Sequence, residues 1–263
     1  MNIFTQNHFP KKLIACLMFI LFQSCAPGHI RPPSPPFTSQ EIALILSEAR
    51  EQERRVHTFF SSGRLTLKTR DSESEANILI AGTRDFLRIK IETTHSWGRP
   101  LVHVFINEAE LHILSFPEKR IYHGHLENSS GLDFFPGVSD PDQVWTIVRG
   151  YPVLPEHKRA VSVKGNQISL LSSKAERAME VSFYHETRLP HRVLYPEQGI
   201  EMLFSDFEIM NGTYYARKII LNDLKGGITL TLKIKNMTFN EEIPEQIFNL
   251  EAPDDFKTYS FFN

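Results

Sequence analysis

Cysteine is nearly missing from these 263 residues: there are two, Cys16 and Cys25. Cys16 falls inside an apolar N-terminal run, which leaves one Cys for the rest of the chain and no internal disulfide framework. Long hydrophobic runs are scarce too. Leu13–Phe22 has ten residues, half of the ~20 that a helix needs to cross a bilayer. Neither charge is in excess, with 29 Lys and Arg against 31 Asp and Glu, so composition marks no nucleic-acid surface. Catalytic motifs are missing as well: Ser129-Ser130-Gly131 is no G-x-S-x-G elbow, and neither H-E-x-x-H nor a glycine-rich phosphate loop occurs. No catalytic residue is assigned and no cofactor is called for. Eleven His are present, and His103, His112, His123 and His125 fall on neighbouring strands. No Cys and no carboxylate spacing completes a zinc set around them, so no metal site is assigned either.

What is abundant is alternation. Gly63 to Gly124 reads as six antiparallel strands joined by short turns. Leu65 and Leu67 alternate with Thr66 and Lys68, and Leu87, Ile89 and Ile91 with Arg88, Lys90 and Glu92, giving each run one apolar and one polar face. Val102, Val104 and Ile106 are expected to face Leu111 and Ile113 across a tight turn at Asn107–Glu110, with a second turn at Pro117-Glu118. The other face of these strands also carries Leu101, Phe105, Leu114 and Phe116. A strongly curved sheet or open barrel with an apolar interior accommodates that better than a flat sheet lying on water.

Two helices flank this meander. Thr38 to Glu41 has capping-box spacing and opens a helix with Ile42, Ile45, Leu46, Ala49 and Val56 on one face, expected to run to about Phe60. Asp140-Pro141 opens a second helix, with Val144, Ile147, Val148 and Tyr151 apolar and Gly150 as terminator. From Ala160 the strand signal returns and is clearest at Ile228–Lys235. Glu245–Leu250 reads as a short turn and tail closing on Phe248 and Pro253. The aromatics outside alternating runs, Trp97, Phe134 and Phe135, are candidates for contact with a membrane or ligand, or else caps on the core.

The N-terminus reads as a targeting segment. Lys11 and Lys12 precede the apolar run, which ends at Leu21-Phe22-Gln23-Ser24-Cys25. This resembles a bacterial lipobox, in which the Cys is lipidated and becomes the mature N-terminus; a lone Cys at the cleavage point fits modification. Residues 1–24 are then the signal peptide, and 25–37 a lipidated Cys and tether. By resemblance to enterobacterial lipoproteins, Ala26 rather than Asp implies sorting to the outer membrane. Ala26–Phe37 holds five prolines and as an extended linker reaches up to ~35 Å from the membrane. Residues 38–263 are read as one domain.

A lipidated N-terminus, proline tether, amphipathic helix, long meander, central helix and second meander follow in that order. They end in Pro244 to Pro253, with Phe248 and Leu250 between. With Ser62-Gly63-Arg64-Leu65, Trp97-Gly98-Arg99-Pro100 and Arg120-Ile121-Tyr122-His123-Gly124, this order resembles the lipoprotein-localisation superfamily, the LolA/LolB-like carriers and insertases. The resemblance implies a mainly β fold with a few helices, an open (unclosed) antiparallel β-barrel covered by helices around an apolar cavity for acyl chains. Leu87, Ile89, Ile91, Val102, Val104 and Ile106 are the expected lining. Trp97 stands in the loop that insertases point at the membrane, where the family carries an aliphatic residue. The implied partners are lipid or lipoprotein acyl chains, the membrane through Cys25, and a periplasmic carrier protein, at the periplasmic face of the outer membrane. A structural adaptor in an envelope assembly is the alternative class, working through an edge strand or surface patch.

Overall fold

The computed structural model describes residues 35–128, 135–174 and 176–260. Cys25, the expected signal peptide, most of the expected tether and Phe134 lie outside them. Helix α1 (Ser39–Arg54) opens on the expected capping box: Glu41 N–H donates to Thr38 Oγ1 at 3.3 Å and Thr38 N–H to Glu41 Oε2 at 2.9 Å. It ends at Arg55, short of Phe60. The chain is captured there by the sheet, with His57 N–H donating to Asn240 Oδ1 and Thr58 Oγ1 to the Glu241 carbonyl. Strand β1 therefore starts at Thr58, and Val56 and Phe59 are buried as its entry rather than as a helical turn.

Strands β1 (Thr58–Lys68), β2 (Glu73–Thr83), β3 (Arg88–Thr94), β4 (Pro100–Asn107), β5 (Glu110–Ser115) and β6 (Arg120–His125) form the meander. The register is the expected one, with Val104 opposite Ile113 and Ile106 opposite Leu111. Helix α2 (Pro141–Arg149) follows, capped by Asp140 and closed by Gly150 in the left-handed region at φ 75°. A Cβ on Gly150 would stand 2.7 Å from the Ala216 carbonyl oxygen, so only glycine allows this helix to end so close to the sheet. The second meander is β7 (Arg159–Val161), β8 (Gln167–Leu171), β9 (Arg177–Phe183), β10 (Pro190–Tyr195), β11 (Ile200–Met210), β12 (Thr213–Asp223) and β13 (Ile228–Phe239).

The two meanders join where β13 pairs with β1, and with a last strand, β14 (Lys257–Ser260), they form one sheet in the order β14-β6-β5-β4-β3-β2-β1-β13-β12-β11-β10-β9-β8-β7. Its edges, β14 and β7, are not paired with each other, so the barrel is open. Strand β14 lies in what the sequence presents as a tail, and pairs parallel to β6.

One core cluster runs through the concave side. It unites Ile78, Ile80, Ile89, Ile91, Val104 and Ile106 of the first meander with Met202, Ile219, Leu221, Leu230, Leu232 and Ile234 of the second, and with both helices. The apolar residues on the other face of β4 and β5 are covered differently. Phe248 packs on Phe105 at 6.3 Å and Phe256 on Phe116 at 5.5 Å, so residues 244–256 form a strap over the convex side. The two-sided apolar pattern thus reports a second cover outside the barrel as well as an interior.

Candidate functional site

The six expected lining residues share the concave face. Ile89, Ile91, Val104 and Ile106 have no exposed surface, and Leu87 and Val102 are partly buried against the same cluster. Period-two alternation puts the five strand residues there, because β3 and β4 are consecutive antiparallel strands in register, Ile91 opposite Val104 and Ile89 opposite Ile106, whereas Leu87 stands in the turn before β3 at φ 39°.

Helix α2 belongs to the same core cluster. Every residue from Gln143 to Arg149 is buried, so the helix is enclosed on all sides rather than lying on the sheet with one wet face. Trp145 meets Phe59 edge to face at 5.1 Å. Helix α1 is amphipathic and contributes Ile42, Ile45, Leu46 and Ala49 from one side only.

Polar groups tie the two helices together and to the sheet. Arg84, after β2, donates to Asp142 Oδ1 of α2 at 2.6 Å and to Glu53 Oε1 of α1 at 2.9 Å. Gln52 of α1 accepts from Tyr214 N–H and donates to the Gly212 carbonyl. The Arg149 guanidinium, itself buried, donates through Nη2 to the Gln52 carbonyl at 2.6 Å and lies over the Tyr151 ring at 4.7 Å, while its Nε and Nη1 have no hydrogen-bond partner. Burial pulls its pKa down to about 10, against smaller upward pulls from Tyr151 and Glu53, so it stays charged at neutral pH. Burial likewise pushes the Tyr151 phenol up to about 12. Trp145 Nε1 and Gln143 Oε1 are also buried without partners. Sequence reading passes over Arg149, because an Arg in the last turn of a helix reads as an exposed cation favoured by the dipole.

Trp97 stands at the tip of the β3–β4 hairpin with 72% of its surface exposed, its ring stacked on His95 at 4.3 Å and 4°. The turn is closed by Gly98 N–H donating to the His95 carbonyl at 2.9 Å. Phe135 lies in the core cluster, which is the capping role for that residue. His103 and His112 pack against Phe116 and Phe105 on the convex side. Among the described residues no three of His, Cys, Asp and Glu come together as a metal site, and no helix is long and apolar enough to cross a membrane.

No protein-family model matches the chain, and no curated protein does. Solved structures do. A LolA superfamily protein from Nitrosomonas europaea superposes with a TM-score of 0.53 at 13% identity, over 79% of this chain and 97% of that one. A DUF1329 family protein from Desulfovibrio piger ATCC 29098 also gives 0.53, at 10% identity, over 79% and 97%. At such identities the likeness concerns architecture: the fold is LolA/LolB-like, an open, mainly antiparallel sheet with helices on its concave side.

Proposed function

We propose that this chain is a lipid-anchored envelope protein that shields or delivers acyl chains, as a lipid or lipoprotein carrier or an outer-membrane insertase, without covalent chemistry. The observation that carries the reading is how the concave face is closed. A continuous apolar wall is covered by two helices, not by a second sheet, and the outer helix α1 is held by its apolar stripe and by polar contacts that include Arg84 to Glu53, Arg149 to Gln52, and Gln52 to Tyr214 and Gly212. Lifting α1 returns these polar groups to water but exposes Ile42, Ile45, Leu46 and Ala49 together with the wall they cover, so the open state needs an apolar replacement. An acyl chain supplies one. The described face is packed in this state, so loading requires α1 to move.

The anchor in this reading is Cys25, with the tether of residues 25–37 holding the 38–263 domain at the periplasmic face of the outer membrane. Cys25→Ala is expected to abolish lipid labelling and move the chain from the membrane fraction to the soluble one; unchanged membrane association would overturn it. Native mass spectrometry of the full chain extracted from envelopes tests the cargo, with co-purified lipid as the expected result. The adaptor reading has its own support in Phe60, Leu79 and Ile247, exposed beside a pocket of about 170 Å³ on the convex side. It gains if the extracted chain carries no lipid and instead retains a protein partner through that patch.

A further inference from the structure

The turn between β9 and β10, residues 184–189, holds a second recess far from the concave core in chemistry. It is a cleft of about 490 Å³ with Tyr184, Phe207 and Leu189 among its apolar walls and Glu186 and Asp206 among its polar ones. The Tyr184 and Phe207 rings stand 6.4 Å apart at 89°, forming a corner, and Tyr151 meets Phe207 from behind at 6.4 Å and 82°. The corner is rigid: Tyr184 Oη donates to the Phe204 carbonyl at 3.0 Å, and the ring rests on His191 at 5.1 Å. Asp206 takes φ 57° within β11, between Ser205, which pairs with Lys218, and Phe207, which pairs with Ala216, with the register unbroken on either side. Neither Asp206 nor Glu186 belongs to an ion pair among the described residues, although Arg188, Arg192 and Arg217 all find carboxylates nearby in sequence or space.

Two perpendicular ring faces with two unpaired carboxylates and no resident cation are the surroundings that favour an ammonium group. The ring quadrupole attracts it and the carboxylates neutralise it. From this geometry we infer that the cleft binds an ammonium group carried next to a phosphate, as in a zwitterionic phosphocholine or phosphoethanolamine head. The phosphate partner comes from the adjoining cleft of about 200 Å³, which shares Tyr184 and His185 and contains Arg188. Glu41 faces Arg188 there, but both its capping bonds go to Thr38 at 2.9 Å, and its contact with Arg188 is long at 3.7 Å. Arg188 thus keeps donors for an incoming phosphate, for which its planar fork is suited. Pro35, Pro36 and Phe37 line the same cleft, so the site sits where the domain leaves its tether. The inference stands on this turn alone and does not require acyl chains in the concave core.

The test is titration of the full chain with three soluble probes: phosphocholine, tetramethylammonium and inorganic phosphate. Phosphocholine is expected to bind saturably and most tightly, tetramethylammonium more weakly, and phosphate weakest. Asp206→Asn should weaken phosphocholine and tetramethylammonium alike by about tenfold, Tyr184→Phe, which keeps the ring and loses its bond to the Phe204 carbonyl, should weaken them less than that, and Tyr184→Ala should remove most binding. Arg188→Ala should weaken only phosphocholine, bringing it level with tetramethylammonium. Tyr184→Phe keeps the ring and guards against a misfolded Tyr184→Ala. Inorganic phosphate binding as tightly as phosphocholine, or Asp206→Asn and Tyr184→Ala both binding like the parent, would overturn the inference. A vesicle arm identifies the source: retention on phosphatidylcholine but not phosphatidylglycerol vesicles marks a lipid headgroup, and binding of the free ester alone marks a soluble one.

Discussion

The sheet carries apolar residues on both faces at β4 and β5, and the two faces are covered by unlike means. On the concave side two helices bring complete apolar surfaces, and the strands beneath them have no exposed area at Ile91, Val104 or Ile106. On the convex side a strap of irregular chain touches down at separate points. Phe248 sits on Phe105 with the Arg88 guanidinium 4.7 Å above its ring, Lys90 Nζ donates to the Asn249 carbonyl at 3.1 Å, Lys119 pairs with Asp255 at 2.7 Å, and β14 seals the end against β6. Between these points the strap stands off the sheet over a groove of about 550 Å³ bounded by Phe105, His112 and Leu114. The helical cover is continuous, so its loss exposes a wall. The strap is a row of local fastenings, and its loss exposes patches.

Neighbouring residues of β4 turn that comparison into a test. Val104 faces the helices and Phe105 the strap, so Glu at each probes one cover. Val104→Glu places a carboxylate with no partner beside Ile91 and Ile113 in the core cluster, and is expected to cost about 4 kcal/mol in urea unfolding and to abolish lipid retention. Phe105→Glu lies half-buried beside an open groove, reaches water, and should cost far less. Equal losses would mean that the two faces are equally closed. Next in size is Phe248→Ala, which removes the main foot of the strap. Its cost is capped by the strap's own docking free energy, about 1–2 kcal/mol, because the strap frays without unfolding the sheet. Amide exchange should rise in residues 244–260 and stay unchanged in β1 and β13. Arg149→Met is smaller still and opposite in sign. It trades a bond to the Gln52 carbonyl for removal of a buried charge with two unpartnered nitrogens, and is expected to be neutral or stabilising by about 1 kcal/mol. Destabilisation of several kcal/mol in thermal unfolding would show that the guanidinium is better satisfied than its geometry indicates.

Legibility in the sequence follows the same division. Elements whose order is dictated by a local period can be read: β1 to β6, their register at Val104 and Ile113, the capping box at Thr38, and the Asp140 and Gly150 ends of α2. Where distant chain decides, reading fails. Helix α1 extends on paper to about Phe60 because Val56 continues the apolar face of Ile42, Ile45, Leu46 and Ala49, yet Asn240 and Glu241, some 180 residues away, draw that segment into the sheet. Strand β14 has four exposed residues and no alternation; what fixes it is Tyr259 against Tyr122 at 5.9 Å and Arg120 over the same ring at 4.9 Å. Of the candidate site, the six wall residues are legible as one face. The role of Arg149 is not, since burial of a helix on all sides depends on what the rest of the chain places around it.

Trp97 belongs to neither cover, and therefore gives the smallest effect on folding and the sharpest on function. Its ring touches His95 and otherwise water, so Trp97→Glu removes one stacking contact and is expected to change stability by no more than ~0.5 kcal/mol. An exposed indole at a hairpin tip is suited to the membrane interface, where its ring meets acyl boundary and its N–H stays wet, and a carboxylate there is repelled by the apolar layer and by anionic lipid. If the protein delivers lipid, Trp97→Glu should retain cargo as the parent does while transferring it to liposomes several-fold more slowly, and Trp97→Leu should restore transfer. Retention and transfer together separate the roles. Val104→Glu failing at retention with Trp97→Glu failing only at transfer supports an insertase; a silent Trp97→Glu leaves a carrier whose hairpin has no part in delivery.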